Sequence, residues 1–170
     1  KNEAGNLPAC IASAAFCDEI VVVDSGSTDG SPAIAESAGA RVVQFAWSGR
    51  PPRKKNWALA NVGWRNDSVF ILDADERITP DLARELAAVV ARPDCDGYYI
   101  NRKFWFLDGW LDHCGYYPSW NLRFFRHRVG RYEQLQGLAQ TNSGFRLQMF
   151  HPGFLFTRPV TVNVIREGVP

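Results

Sequence analysis

Two aspartates separated by one alanine, Asp73-Ala74-Asp75, directly follow the apolar run Val69-Phe70-Ile71-Leu72. In extended backbone, residues i and i+2 point to the same side about 7 Å apart, so two carboxylates there can share a divalent cation and a ligand hydroxyl. Their mutual repulsion itself calls for a nearby cation. The bland alternative is a pair of exposed acids opening a turn. The apolar run in front weighs against it, because the carboxyl edge of an α/β sheet is where ligands bind. Asp24 stands in the same position after Ile20-Val21-Val22-Val23 and before the small polar loop Ser25-Gly26-Ser27-Thr28-Asp29-Gly30. Its carboxylate is suited to accept a hydrogen bond from a base or ribose, or, more plainly, to close an Asx turn. Lys55, just inside a helix start, offers a point charge to a diphosphate beside free backbone N–H groups; on its own it reads as a surface lysine.

These residues need a frame that carries them to one edge. Apolar Leu7, Cys10, Ile11, Ala14 and Ala15 recur at helical spacing and predict a helix over 6–15, with Asn6 as cap and Pro8 in the first turn. Ser31 and Pro32 read as cap and first turn of a helix over 31–38 that stops at Gly39. A helix over 54–62 follows Pro51-Pro52. A last one begins at the Thr79 cap and Pro80, with Leu82, Leu86, Val89 and Val90 on one stripe. Between them, 19–24, 41–45 and 68–72 read as strands, the β-branched run Ile20 to Val23 as one covered on both faces. Strand and helix alternating over 6–91 predict a doubly wound, mostly parallel α/β sheet. After Pro93 the alternation stops. Strands over 98–106 and 121–125, separated by an aromatic stretch, predict mixed or antiparallel structure beside that sheet.

A chain of 170 residues with 46% hydrophobic and 22% charged residues fits one folded domain and excludes a disordered or collagen-like one. No apolar run approaches the roughly 20 residues of a membrane helix. Residues 1–85 hold 9 Lys/Arg against 12 Asp/Glu, and 86–170 hold 10 against 6; the second half reads first as a solvated charged face and otherwise as one suited to an anionic lipid head group or a phosphorylated carrier. Overall charge is only +1 and no nucleic-acid-binding motif appears, so no nucleic-acid partner is expected. Cys10, Cys17, Cys95 and Cys114 form no metal-binding spacing and read as reduced thiols. Aromatic Phe104, Trp105, Phe106, Trp110, Tyr116, Tyr117 and Trp120 interleave with Arg102, Lys103 and Arg123, a composition suited to sugar stacking or a membrane interface.

Taken in order, Asn2-Glu3, Asp24 to Asp29, Lys55-Asn56, Leu72 to Arg77 and Gly115 to Arg123 resemble the motifs of family 2 glycosyltransferases of the GT-A fold. The subgroup most similar is that of bacterial lipopolysaccharide core biosynthesis. The resemblance covers residues 1–144 and implies a GT-A fold in a single domain. In it, 1–92 would bind a nucleotide sugar, 93–144 would form the acceptor side, and 145–170 is an unassigned tail. It further implies that Asn2, Glu3 and Asp24 bind the nucleobase and ribose, that Asp73 binds the ribose, and that Lys55 lies near the diphosphate. Asp75 would ligate Mn²⁺ or Mg²⁺, and Tyr117, Trp120 and Arg123 would line the acceptor side. The implied reaction is inverting transfer of a sugar to a hydroxyl of a saccharide or lipid-linked acceptor, in the bacterial cytoplasm or at the inner face of its membrane.

The sequence departs from the family pattern twice. It opens at Lys1-Asn2-Glu3, without the strand that would feed the first helix, so a fragment is expected. Where the subgroup carries a His-Glu pair, Phe145 to Pro152 contains no acid; neither Glu133 nor His151 matches that position, so no general base is assigned. Two rivals follow. One is a truncated remnant that binds nucleotide or saccharide without turnover. The other is a haloacid-dehalogenase-like phosphatase, which also places DxD after a buried strand but expects Thr or Val where Arg77 stands.

Overall fold

The computed structural model describes residues 1–93, 95–106, 109–111, 117–132 and 158–167, with Trp110 and 158–167 described by backbone alone. Helix α1 spans Leu7–Ser13, strand β1 Val21–Asp24, α2 Ser31–Ser37, β2 Arg41–Gln44, α3 Lys54–Asn61 and β3 Ser68–Phe70. Then come β4 Glu76–Ile78, α4 Pro80–Ala91, β5 Gly97–Phe106, β6 Gly109–Leu111, β7 Trp120–Arg126 and β8 Arg158–Glu167. Cys114, Tyr116, Glu133, His151 and most of the tail beyond Tyr132 lie outside the described residues.

The helices start where their caps allow. Thr79 Oγ1 accepts from Leu82 N–H at 3.2 Å and Pro80 opens α4, which buries Leu82 and Leu86 while Val90 stays exposed. Helix α2 differs from expectation: its cap is Gly30, at φ 86°, a conformation glycine reaches without Cβ strain. Ser31 is released for another task described below. Asn6 does precede α1, but its side-chain amide donates to Glu3 Oε2 at 2.9 Å instead of capping the helix.

Two sheets form. Strands β1 and β2 are a parallel pair in register Val21 to Arg41, packed on α1 and α2 through Leu7, Ile11, Ala35 and Ala40. The other sheet runs β3-β7-β5-β8-β4, with β6 on β5. Its β3–β7 and β7–β5 pairings are antiparallel and its β5–β8 pairing is parallel. One face is covered by α4 (Leu82 and Leu86 against Tyr98, Ile100 and Phe124), the other by α3 (Leu59 against Val69, Leu122 and Phe125). The strands of the first half therefore do not share one parallel sheet, since β3 pairs with β7. The Ile20 and Asp24 carbonyls accept from Arg41 and Phe45 N–H, so alternation turns the backbone groups of Val21 and Val23 toward the opposite edge of β1. Among the described residues β1 pairs with β2 alone, and Val21 to Val23 are half-buried where burial on both faces was expected.

The register slips once between β5 and β7. Tyr98 faces Phe124 while Tyr99 faces Leu122, so Arg123 is the extra residue of a β-bulge. Bulges bend a strand and re-aim a side chain, and here four consecutive residues, Leu122 to Phe125, are buried in place of an alternation.

Candidate active site

The first wall is a web of neutral hydroxyls and amides around two aspartates. Asn2 adopts φ 58°, which Asn tolerates better than other residues with a Cβ. In that conformation its backbone N–H donates to Ser27 Oγ at 2.9 Å, and its side-chain carbonyl accepts from Thr28 N–H at 3.0 Å. Ser27 in turn donates from its amide and hydroxyl to Asp24, at 2.9 and 2.5 Å. Burial pushes the Asp24 carboxyl up, but the hydrogen bonds of the Ser27 hydroxyl and amide, with those of the Gln44 side chain and the Ser25 amide, together outweigh it and hold the group at about 2. Ser31, displaced from the cap, accepts from Glu3 N–H at 3.0 Å and donates to Asp29 at 2.5 Å. The loop after β1 thus fastens the segment carrying Asn2 and Glu3.

The second wall is built from charges. Lys55, at the start of α3, stands 3.0 Å from Asp73 Oδ1. From the bulge, the Arg123 guanidinium donates to Ile71 O, to Asp73 Oδ2 and to Glu76 Oε1, each at 2.9 to 3.2 Å. Arg102 Nη1 lies 3.7 Å from Glu76 Oε1. Glu76 is 1% exposed and Arg123 5%, so this pair is fully desolvated. Burial pushes Asp73 up, yet Arg123 and Lys55 hold its carboxyl at about 2. Burial raises Glu76 above its ordinary value against the pull of Arg123, and it lowers Lys55. Lys55 also sits 5.7 Å over the Tyr132 ring, and Tyr132 is anchored by a reciprocal pair of bonds with Asn56, at 2.7 and 2.8 Å.

Asp73-Ala74-Asp75 is not extended. Glu76 N–H donates to Asp73 O at 3.0 Å, closing a turn between β3 and β4. The chain must reverse there to enter β4, so the same-side geometry expected of extended backbone does not apply. Asp73 is neutralised by Lys55 and Arg123, and Asp75, two residues on, lines the same cleft. Among the described residues no three His, Cys, Asp or Glu converge as a closed cage. One carboxylate lining the cleft, as Asp75 does, nevertheless fits an ion such as Mg²⁺, which takes one or two carboxylates and completes its shell with phosphate oxygens and water.

Both walls border one cavity of about 1030 Å³. Its lining brings together Asn2, Glu3, Asp24, Lys55, Asp73, Asp75 and Arg123. Tyr117 and Trp120 are not part of that lining; Trp120 is exposed at the start of β7, opposite Asn101. Arg123 faces the carboxylates of the cleft, held by Asp73 and Glu76. Sequence reasoning assigned no role to Glu76, Asn56 or Tyr132. The D-x-x-E spacing from Asp73 to Glu76 was the available signal for the first; the other two are joined only by the fold.

The model of Glycosyl transferase family 2 matches residues 1–154. The chain belongs to this family. It is 36% identical over 148 residues to the lipopolysaccharide core biosynthesis glycosyltransferase LpsC of Rhizobium meliloti, covering 79% of this chain and 51% of that protein. It is 38% identical over 99 residues to an uncharacterized glycosyltransferase of Rickettsia bellii (58% and 33%) and 34% identical over 104 residues to a TPR repeat-containing protein of Synechococcus elongatus (61% and 25%). The chain thus spans between a quarter and about half of these curated relatives. Among solved structures it is similar to S. aureus TarS 1–349, with a TM-score of 0.56 and 22% identity over 75% of this chain and 45% of that one, a likeness of fold. The family 2 GT-A architecture expected from the motifs is the one observed.

Proposed function

We propose that this chain is the catalytic domain of an inverting glycosyltransferase, which moves a sugar from a nucleotide sugar to a hydroxyl of a saccharide or lipid-linked acceptor in bacterial cell-envelope polysaccharide or lipopolysaccharide synthesis. The observation that carries this reading is the convergence of Asn2, Glu3, Asp24, Lys55, Asp73 and Asp75, from four separate stretches of sequence, on one cleft in a family 2 domain. In it, Asn2, Glu3 and Asp24 hold the base and ribose, Asp73 accepts from a ribose hydroxyl, and Lys55 faces the diphosphate. Asp75 holds Mn²⁺ or Mg²⁺, which when bound offsets the charge growing on the departing diphosphate. Tyr117 and Trp120 belong to the acceptor side, where the acceptor hydroxyl approaches opposite the leaving group, while Arg123, expected with them, braces Asp73 in the donor cleft. The LpsC likeness supports the lipopolysaccharide setting, and the reading assigns the work to the bacterial cytoplasm at the inner face of the membrane. Among the described residues no helix is long and apolar enough to cross that membrane.

The test is release of nucleoside diphosphate from UDP-, GDP- and dTDP-sugars in Mn²⁺, with and without saccharide acceptors. Turnover abolished by Asp75→Ala is expected. Binding without turnover in every combination would support the non-catalytic remnant instead.

A further inference from the structure

We infer that Glu76 is the positioning residue of the donor site, fixing Asp73 from two directions at once. Its Oε2 accepts from the Asp73 backbone N–H at 3.1 Å, and its Oε1 accepts at 2.9 Å from Arg123 Nη2, the same nitrogen that grips Asp73 Oδ2 at 3.2 Å. Its own N–H donates to Asp73 O, so the four-residue turn is closed through backbone and side chain alike. Both carboxylate oxygens serve donors. An amide offers one acceptor oxygen and an NH₂ group, so glutamine can serve Arg123 or the Asp73 N–H but not both. Burial at 1% exposure removes water as a substitute, and the bulge at Arg123 supplies the partner that makes the second grip reachable. Glu76 thus acts on the ligand through Asp73. The inference rests on the reading above that Asp73 contacts the donor.

The experiment is a double-mutant cycle of Glu76→Gln and Asp73→Asn, read by calorimetry with UDP-, GDP- and dTDP-glucose in Mn²⁺ and by hydrogen exchange at the Asp73 amide. Glu76→Gln is expected to weaken donor binding at least tenfold and to speed Asp73 amide exchange by a similar factor. In the Asp73→Asn background it should cost no further donor affinity. A purely structural Glu76 would instead lower the active fraction with affinity unchanged, and that result overturns the inference, as do additive effects of the two substitutions. If Glu76→Gln does not fold, Glu76→Asp decides: it keeps the charge near Arg123 but its shorter arm loses the Asp73 amide, and wild-type donor affinity in it contradicts the assignment. If the unaltered chain binds none of the three donors, the glycosyltransferase reading fails. The exchange rate of the Asp73 amide then judges Glu76 alone, and an unchanged rate overturns the inference.

Discussion

The two walls of the cleft hold their aspartates by opposite means. On the β1 side, Asp24 is held by a serine hydroxyl and backbone amides; on the β3 side, Asp73 is held by Lys55 and Arg123, with Glu76 behind them. Both carboxyls end at about 2, so the same ionisation state is reached by hydrogen bonding in one wall and by Coulomb attraction in the other. The difference is consequential because a hydrogen bond from a neutral donor to a carboxylate is worth about 1.5–3 kcal/mol. A desolvated ion pair, by contrast, is costly to break even where it adds little net stability, since the partner left behind is a buried charge.

The sharpest way to break this contrast is Arg123→Ala. It leaves Glu76 without the guanidinium 2.9 Å away and should cost about 3–5 kcal/mol in urea unfolding. A loss below about 1 kcal/mol would mean that the pair behaves as an exposed one. On the other wall, Ser27→Ala should cost about 2 kcal/mol, less than Arg123→Ala, and should raise the Asp24 pKa from about 2 toward the ordinary carboxylate range. The sign of the pH effect follows. A depressed pKa contributes stability fully above about pH 4, and that stability fades as pH falls toward 2. Ser27→Ala should therefore flatten the acid limb of the stability profile between those values, while ¹³C titration of Asp24 reports the shift directly. An Asp24 that still titrates near 2 would assign its depression to other groups.

How much of this was legible in the sequence depends on the range of the interactions involved. Thr79-Pro80 marked the start of α4 because a cap is a matter of three neighbouring residues. The order of strands and helices through α4 was likewise readable, apart from β4, whose three residues are too few for a period. Ser31 was misread as the cap because its true role depends on Glu3, 28 residues away. The extended reading of Asp73-Ala74-Asp75 failed because the turn is closed by Glu76. Arg123 was recognisable as a motif residue, but its direction comes from a bulge, which exists only once β7 is laid beside β5. The candidate residues were thus visible from their types and order, while the electrostatics that prepares them was not.

The most direct test of the claim that both walls bind one nucleotide sugar is calorimetric titration of the chain with UDP-, GDP- and dTDP-sugars, with Mn²⁺ and after chelation, alongside Asp24→Asn and Asp75→Ala. The account predicts binding of at least one donor that weakens at least tenfold on chelation and in each variant, with Asp75→Ala alone insensitive to the metal. Equal affinity with and without Mn²⁺, or wild-type affinity in Asp24→Asn, would contradict it.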